Sequence, residues 1–367
     1  MRFFHVGVDR FVELDSAPAA LPEQGFIWIG SARREFEVGI GELQATLQRL
    51  CGGQLVDLHV SDLRNNQLPS HYDYTSWYDM MVFRRLAAGA GSEALFVDDN
   101  TGTASSARLA LASIDTSPVG FAVFERVLVT VHPTECAVRE HFATRMVGMT
   151  GGSGGEGRGG ARLPASPADL MLRMINHLVD SYLDLRRLLT RQLGYLQQQL
   201  LDPKNRFDDW QVLLESRNTL HLLEDTCEDQ RSAVQEWIDA LDEWPDEPDL
   251  AARRERELLR VRSRDVQEHV ERVLGHVRRL EQSAETAVQI HFSALGHRTN
   301  SIMRTLTVLT AIFMPLNLIT GFFGMNFEFL PLIHSSNGFW IAFGFMMVVV
   351  AGLVVFFRRK RYLGHTR

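Results

Sequence analysis

Residues 305–326 read TLTVLTAIFMPLNLITGFFGMN, and the first twenty of them, Thr305 to Gly324, carry no charge. Roughly 20 apolar residues in a helix cross the hydrocarbon core of a bilayer. A second uncharged stretch of twenty, GFWIAFGFMMVVVAGLVVFF, runs from Gly338 to Phe357. One such stretch also fits a buried core helix. Two of them, joined by the thirteen residues 325–337, predict a transmembrane hairpin. The joining loop has no Lys or Arg, whereas Arg298 and Arg304 precede the first span and Arg358, Arg359, Lys360 and Arg361 follow the second. The positive-inside rule then predicts a multi-pass inner-membrane chain with both termini in the cytoplasm.

Along the first span, Asn300, Met303, Thr307, Thr310, Met314, Asn317, Gly321 and Gly324 recur at alternating spacings of 3 and 4. That is a heptad stripe of polar, small and Met residues on an otherwise apolar helix. An amide such as Asn317 is unfavourable against lipid, so the stripe is expected to face protein or water. Small residues also promote close helix packing, so the stripe reads either as a packing seam or as the lining of an axis shared by a ring of hairpins. It contains no carboxylate. Asn side chains would accept hydrogen bonds from the waters that Mg²⁺ keeps, holding the ion loosely enough to release it. A divalent ion gains about 4.6 kcal/mol from a 100 mV inside-negative potential, so inward flow needs no fuel.

Upstream, no strong breaker occurs between Asp249 and Pro315, so residues 250–324 read as one continuous helix. Two more helices are predicted before it, from Ala168 to about Leu201 and from about Phe207 to Glu243, with Ser166 and Pro167 as N-cap and first residue. Between Glu224 and Asp249 there are eleven Asp/Glu and one Arg, which reads as a solvated face or a cation-gathering one. Before the helices, GGSGGEGRGG (151–160) is a flexible linker by composition and lacks the Gly-Lys-Ser/Thr of a phosphate loop. The first 150 residues alternate short β-rich runs with turn chemistry. The runs start at Phe26, Gln54, Trp77, Ala94, Leu109, Gly120 and Arg126; helices are expected at 36–50 and 134–146. The resulting division is an N-terminal α+β cytosolic domain (1–150), a linker (151–165), a helical cytosolic stalk (166–304), a two-span transmembrane part (305–357) and a basic cytosolic tail (358–367).

Bulk composition agrees. Of 367 residues 45% are apolar and 23% charged, which excludes a mostly embedded or mostly disordered chain. The net charge of −7 argues against nucleic acid as a partner. Cys51, Cys136 and Cys227 are too scattered for a disulfide framework or a cysteine zinc site. His-Glu-x-x-His is absent, and no motif supports an enzyme.

The run TAIFMPLNLITGFFGMNFEFLP, followed by a second span and RRKRYL, resembles the CorA family of divalent-cation channels and transporters, within the superfamily that includes ZntB. Weaker similarity covers Arg298-Thr299-Asn300 and Arg264-Asp265-Val266. The resemblance implies a CorA-like funnel, a homopentamer in a lipid bilayer, and Mg²⁺ as the transported and regulatory ion. It makes Gly324, Met325 and Asn326 the outer selectivity loop. It places Asn300, Met303, Leu306, Thr310, Met314 and Asn317 on the conduction path beside Thr307 and Gly321. Met303, Leu306 and Met314 become hydrophobic gates. Asp265 falls where the family places a regulatory metal. His269 and Asp265 share a helix face with Arg272 and His276, spread over about 60° at 100° per residue, so that face reads as a metal site or an ordinary ion-paired surface. Phe323 replaces the family's usual Tyr and Asn317 its usual Thr; the outer loop keeps Glu328, the remaining carboxylate for cation capture, but reads Leu330-Pro331-Leu332. The alternatives are a carrier of Zn²⁺, Ni²⁺ or Co²⁺, with or without proton coupling, and a non-conducting metal sensor or scaffold. His291 and His297 read as structural, and His334 as a solvent-facing loop residue or a contact for Zn²⁺.

Overall fold

The computed structural model describes residues 1–89, 104–134, 137–150, 162–201, 210–244, 249–325 and 337–360. Asn326, Glu328, His334, Cys136, the 151–160 linker, the ALFVD run and most of the basic tail lie outside them. The chain forms two compact units, Met1–Ala287 and Val288–Arg367.

The first unit is built on a seven-stranded sheet of order β2-β1-β3-β9-β8-β5-β4. Its strands are β1 (Arg2–Val6), β2 (Phe11–Leu14), β3 (Phe26–Ala32), β4 (His71–Tyr74), β5 (Tyr78–Arg84), β8 (Pro118–Phe124) and β9 (Val127–His132). A two-residue pair, β6 (Ala87–Ala88) with β7 (Ile114–Asp115), stands apart. Only β3 and β9 pair in parallel, with Ile27 opposite Val127; the other neighbours are antiparallel. Alternation along β3 sends Ile27 and Ile29 to one face, where they pack with Phe36, Leu43 and Leu47 of α1 (Arg33–Cys51). Trp28 points to the other face, stacks on Phe4 at 4.5 Å and donates its indole N–H to the Thr130 hydroxyl at 2.9 Å. Burying each such side chain stabilises the fold by roughly 1.5–3 kcal/mol. Gly25 closes the β2–β3 connection at φ +81; a Cβ there would lie 2.1 Å from the Val6 carbonyl, so only glycine fits.

Two strand expectations fail in this unit. The QLVDLHV run is not a strand: α2 (Asp57–Arg64) starts inside it, because Leu55, His59 and Leu63 recur every four residues and are buried on one side. LALASI is likewise not a strand. It closes α3 (Ala104–Ala112), an Ala-rich segment whose helix propensity prevails, and only Ile114–Asp115 is extended. The helix after β9 is α4 (Val138–Thr150). The helix expected over 168–201 is two: α5 (Pro167–Asp180) and α6 (Tyr182–Leu201). Ser181 interrupts them, its hydroxyl bonding back to the Leu178 carbonyl at 2.5 Å and to Leu86 O at 3.2 Å. Ser166 does cap α5, accepting from Asp169 N, with Pro167 in its first turn.

α7 (Trp210–Glu243) and α8 (Leu250–Phe323) follow, then α9 (Gly338–Arg359). α8 is the 74-residue helix expected from the missing breakers, and it passes through Pro315. α7 runs antiparallel to it: Trp237 Nε1–H donates to Ser263 Oγ at 3.0 Å, and Gln267 donates to Gln235 at 2.6 Å. α6 runs alongside in the same sense as α8, through Tyr182–His276 and Gln197–Ser283. Arg256 ties the end of α7 down, donating to the Leu241 carbonyl at 2.8 and 3.1 Å and to Trp244 O.

Candidate functional site

In the second unit, the last part of α8 and all of α9 are apolar enough to cross a bilayer, with mean hydropathies of 1.8 and 2.6 over their most apolar windows. Leu, Ile, Phe and Val dominate both, and α9 ends on Arg358 and Arg359.

Every position of the stripe is exposed in the single chain (Asn300, Met303, Thr307, Thr310, Met314, Asn317, Gly321 and Gly324), and so is Leu306 beside it. Met303 is 62%, Leu306 61% and Met314 70% exposed. The less exposed positions are 308, 311, 312, 315, 316, 319 and 323. At about 100° per residue these centre about 160° round the helix from the stripe. The helix therefore has one half-covered apolar face and, opposite it, a bare face that carries the amides and hydroxyls. α9 carries a half-covered seam of its own at 342, 346, 349, 350, 353, 354 and 357.

The stripe's polar groups differ in what they do. Thr307 and Thr310 return their hydroxyls to the carbonyls of Met303 and Leu306, at 2.8 and 2.9 Å. Each leaves oxygen lone pairs facing outward. The Asn300 and Asn317 amides take no side-chain hydrogen bond within the chain, among the described residues, and are the groups of the stripe with both donor and acceptor to offer. Pro315 removes the helical N–H that would bond the Ala311 carbonyl. At the outer end, Gly324 N–H still closes on Thr320 O at 2.9 Å and Met325 N–H on Phe322 O at 3.4 Å. Gly324 and Met325 thus turn the chain out of α8 just past Phe323.

The other candidate lies in the first unit. His269 is held between two carboxylates: Nδ1 is 3.6 Å from Asp180 and Nε2 3.8 Å from Asp265. Asp265 and His269 come together as the sequence suggests. Asp180 joins them from the end of α5, 89 residues before His269, with no signal in the sequence, which reads as one unbroken helix there. Their neighbours are less free. Arg272 donates to the Glu268 carbonyl at 3.2 Å. His276 turns inward, its Nδ1 2.6 Å from the Tyr182 hydroxyl, and burial first, then Arg186 and Arg279, pushes its pKa down to about 4. His276 is thus a neutral packing residue rather than part of an exposed face. Asp180, His269, Arg272 and His276 line a cavity of about 200 Å³. His291 is buried and His297 exposed on α8.

A family model described as CorA-like Mg²⁺ transporter protein matches residues 102–359, which includes all of the helical part. The chain belongs to the CorA-like Mg²⁺ transporter family. The family is one of ion transporters, and the two apolar helices of this member are its transmembrane helices. The cobalt/magnesium transport protein CorA of Thermotoga maritima is 26% identical over 195 residues, 53% of this chain and 52% of that protein. The protein of the same name from Methanocaldococcus jannaschii is 38% identical over 76 residues, 21% of this chain and 24% of that one. The chain thus aligns with about half, or less, of the length of these curated relatives. The complete structure of the CorA magnesium transporter from Methanocaldococcus jannaschii superposes with a TM-score of 0.68 at 18% identity, covering 98% of both chains. At that identity the likeness shows the fold: a CorA-type α/β domain, long helices and a C-terminal pair of apolar helices.

Proposed function

We propose that this CorA-family chain carries divalent cations, Mg²⁺ first, across the inner membrane along the axis of a homopentamer. Five copies of α8 turn their stripes inward, and both termini stay in the cytoplasm. The observation that carries this reading is the placement of the bare, amide-bearing face of α8 about 160° from its half-covered apolar face. A face that polar is costly against acyl chains and is satisfied by water or by its own symmetry copies.

In this reading Gly324, Met325 and Asn326 form the outer selectivity loop, with Asn326 accepting hydrogen bonds from the ion's water shell and Glu328 drawing cations to the mouth. Asn317, Thr310, Thr307 and Asn300 are successive polar rings, and Met314, Leu306 and Met303 are narrow apolar ones that gate by dewetting. Weak, repeated holding suits Mg²⁺, which dehydrates reluctantly. The cobalt/magnesium names of two relatives support Co²⁺ as a second cargo. Asp265, with His269 and Asp180, is the proposed site at which cytosolic metal reports back to the pore. The pore then occupies 305–357, the stalk 166–304 and the α+β domain 1–150.

Purified protein in liposomes loaded with a Mg²⁺ indicator tests this. Wild type should admit Mg²⁺ at a rate set by the membrane potential and indifferent to a pH gradient. An Asn326→Ala protein that still assembles should lose most of that flux. Unchanged flux in Asn326→Ala would contradict the selectivity loop, and flux that follows the proton gradient would favour a proton-coupled transition-metal carrier.

A further inference from the structure

α7 and α8 share a second constellation, well away from the Asp265 cluster. Beyond the Trp237–Ser263 and Gln235–Gln267 pairs, the antiparallel register brings His221 and Glu224 of α7 opposite Glu281 of α8. One ligand atom from each, an imidazole nitrogen and two carboxylate oxygens, lie within 4.8 Å of one another. His221 and Glu224 are three residues apart and so project from one helix face. Zn²⁺ bonds nitrogen at about 2.0–2.1 Å and carboxylate oxygen at about 2.0–2.2 Å, so tetrahedral donors stand about 3.4 Å apart. His221 is exposed and the two glutamates half-buried, so small rotamer changes close that gap.

The carboxyls are also close enough to hydrogen-bond each other. Arg278, 2.7 Å from Glu224, holds that carboxyl below its usual range. Burial, and then Glu224 itself, holds Glu281 above its own. Arg278 and Arg217 flank the cluster and offset part of its charge, which disfavours a weakly held hard ion. An imidazole with two carboxylates suits a borderline dication better than Mg²⁺, which takes oxygen ligands and keeps its waters.

We propose that His221, Glu224 and Glu281 form a binding site for a transition-metal dication, Zn²⁺ by preference, that clips α7 to α8. Binding forms one bond from the imidazole nitrogen and one from an oxygen of each carboxylate to the ion, and nothing is oxidised or reduced. The site lies sixteen residues from Asp265 along α8, about 24 Å at 1.5 Å per residue, and is separate from the proposed regulatory cluster. It does not depend on which ion the pore carries.

The test is Zn²⁺ titration calorimetry on full-length protein in detergent, in an Asp265→Asn, His269→Ala background that removes the other cluster. His221→Ala and, separately, Glu281→Gln should each bind one Zn²⁺ fewer per chain or bind it more than tenfold more weakly. Co²⁺ should give a visible absorption band in the background protein that His221→Ala lacks, and millimolar Mg²⁺ should leave Zn²⁺ in place. Zn²⁺ binding unchanged in both variants, or Zn²⁺ displaced by Mg²⁺, would overturn the proposal.

Discussion

His132 ends β9 wholly buried, its Nε2 2.9 Å from the Thr130 hydroxyl. Burial first, then the nearby Arg139, Arg33 and Arg85, pushes its pKa down to about 3. The folded state therefore refuses a proton that the unfolded chain accepts near 6.5. Stability is full above that value and falls as the pH drops towards 3, by about 1.4 kcal/mol per unit for this one group. Urea unfolding followed by circular dichroism should show a clear loss between pH 6.5 and 4.5, and His132→Gln should flatten that slope; parallel slopes would assign the acid sensitivity elsewhere. Nearby, Thr130→Val removes the acceptor of the Trp28 indole N–H. It should cost about 1–3 kcal/mol, because a buried donor is left unsatisfied, and the same unfolding measurement reads it. Neither role is legible in the sequence. Thr130 and His132 lie in an apolar run that announces a strand, but which face receives them is set by the pairing of β9 with β3 and β8.

Helices repeat the lesson at larger scale. The 74-residue α8 and the two spans were legible because nothing between Asp249 and Pro315 breaks a helix and because twenty uncharged residues have few other uses. The Ser166–Pro167 start of α5 was legible from two residues. The break at Ser181 was not, since a serine hydroxyl bonding back to a carbonyl leaves no compositional mark. β1, β2 and β4 escaped for a related reason: HYDY and FVEL are short and mixed, and only pairing in the sheet makes them strands. Arg256 shows what a helix pair adds. Arg256 is 9% exposed, and its guanidinium satisfies the last carbonyls of α7 from α8. Arg256→Ala should lower the melting temperature by several degrees, a loss of about 2–4 kcal/mol, and Arg256→Lys should recover only part of it, since an ammonium cannot fork across several carbonyls. An unchanged melting temperature in Arg256→Ala would mean that α7 is held by its apolar face alone.

For the whole molecule, the proposed pore is a site that one chain does not complete alone. The stripe, its period and its lack of carboxylates were all in the sequence; what the structure adds is that the stripe is bare and lies opposite the half-covered face. Asp180, by contrast, joins His269 only through the packing of α5 beside α8. If symmetry copies close the axis, light scattering of detergent-solubilised protein should give five times the 41.6 kDa chain mass after correction for detergent. A monomer or dimer would contradict the ring. The most direct measurement is accessibility along α8 in membranes. Single cysteines placed at 303 to 319, in a chain whose three native cysteines are replaced by serine, are exposed to a charged, membrane-impermeant thiol reagent. A water-filled axis predicts fast labelling at Thr307, Thr310, Met314 and Asn317, blocked by millimolar Mg²⁺, and slow labelling at Val308, Ala311, Ile312 and Ile319. Equal or reversed labelling of the two faces would contradict it.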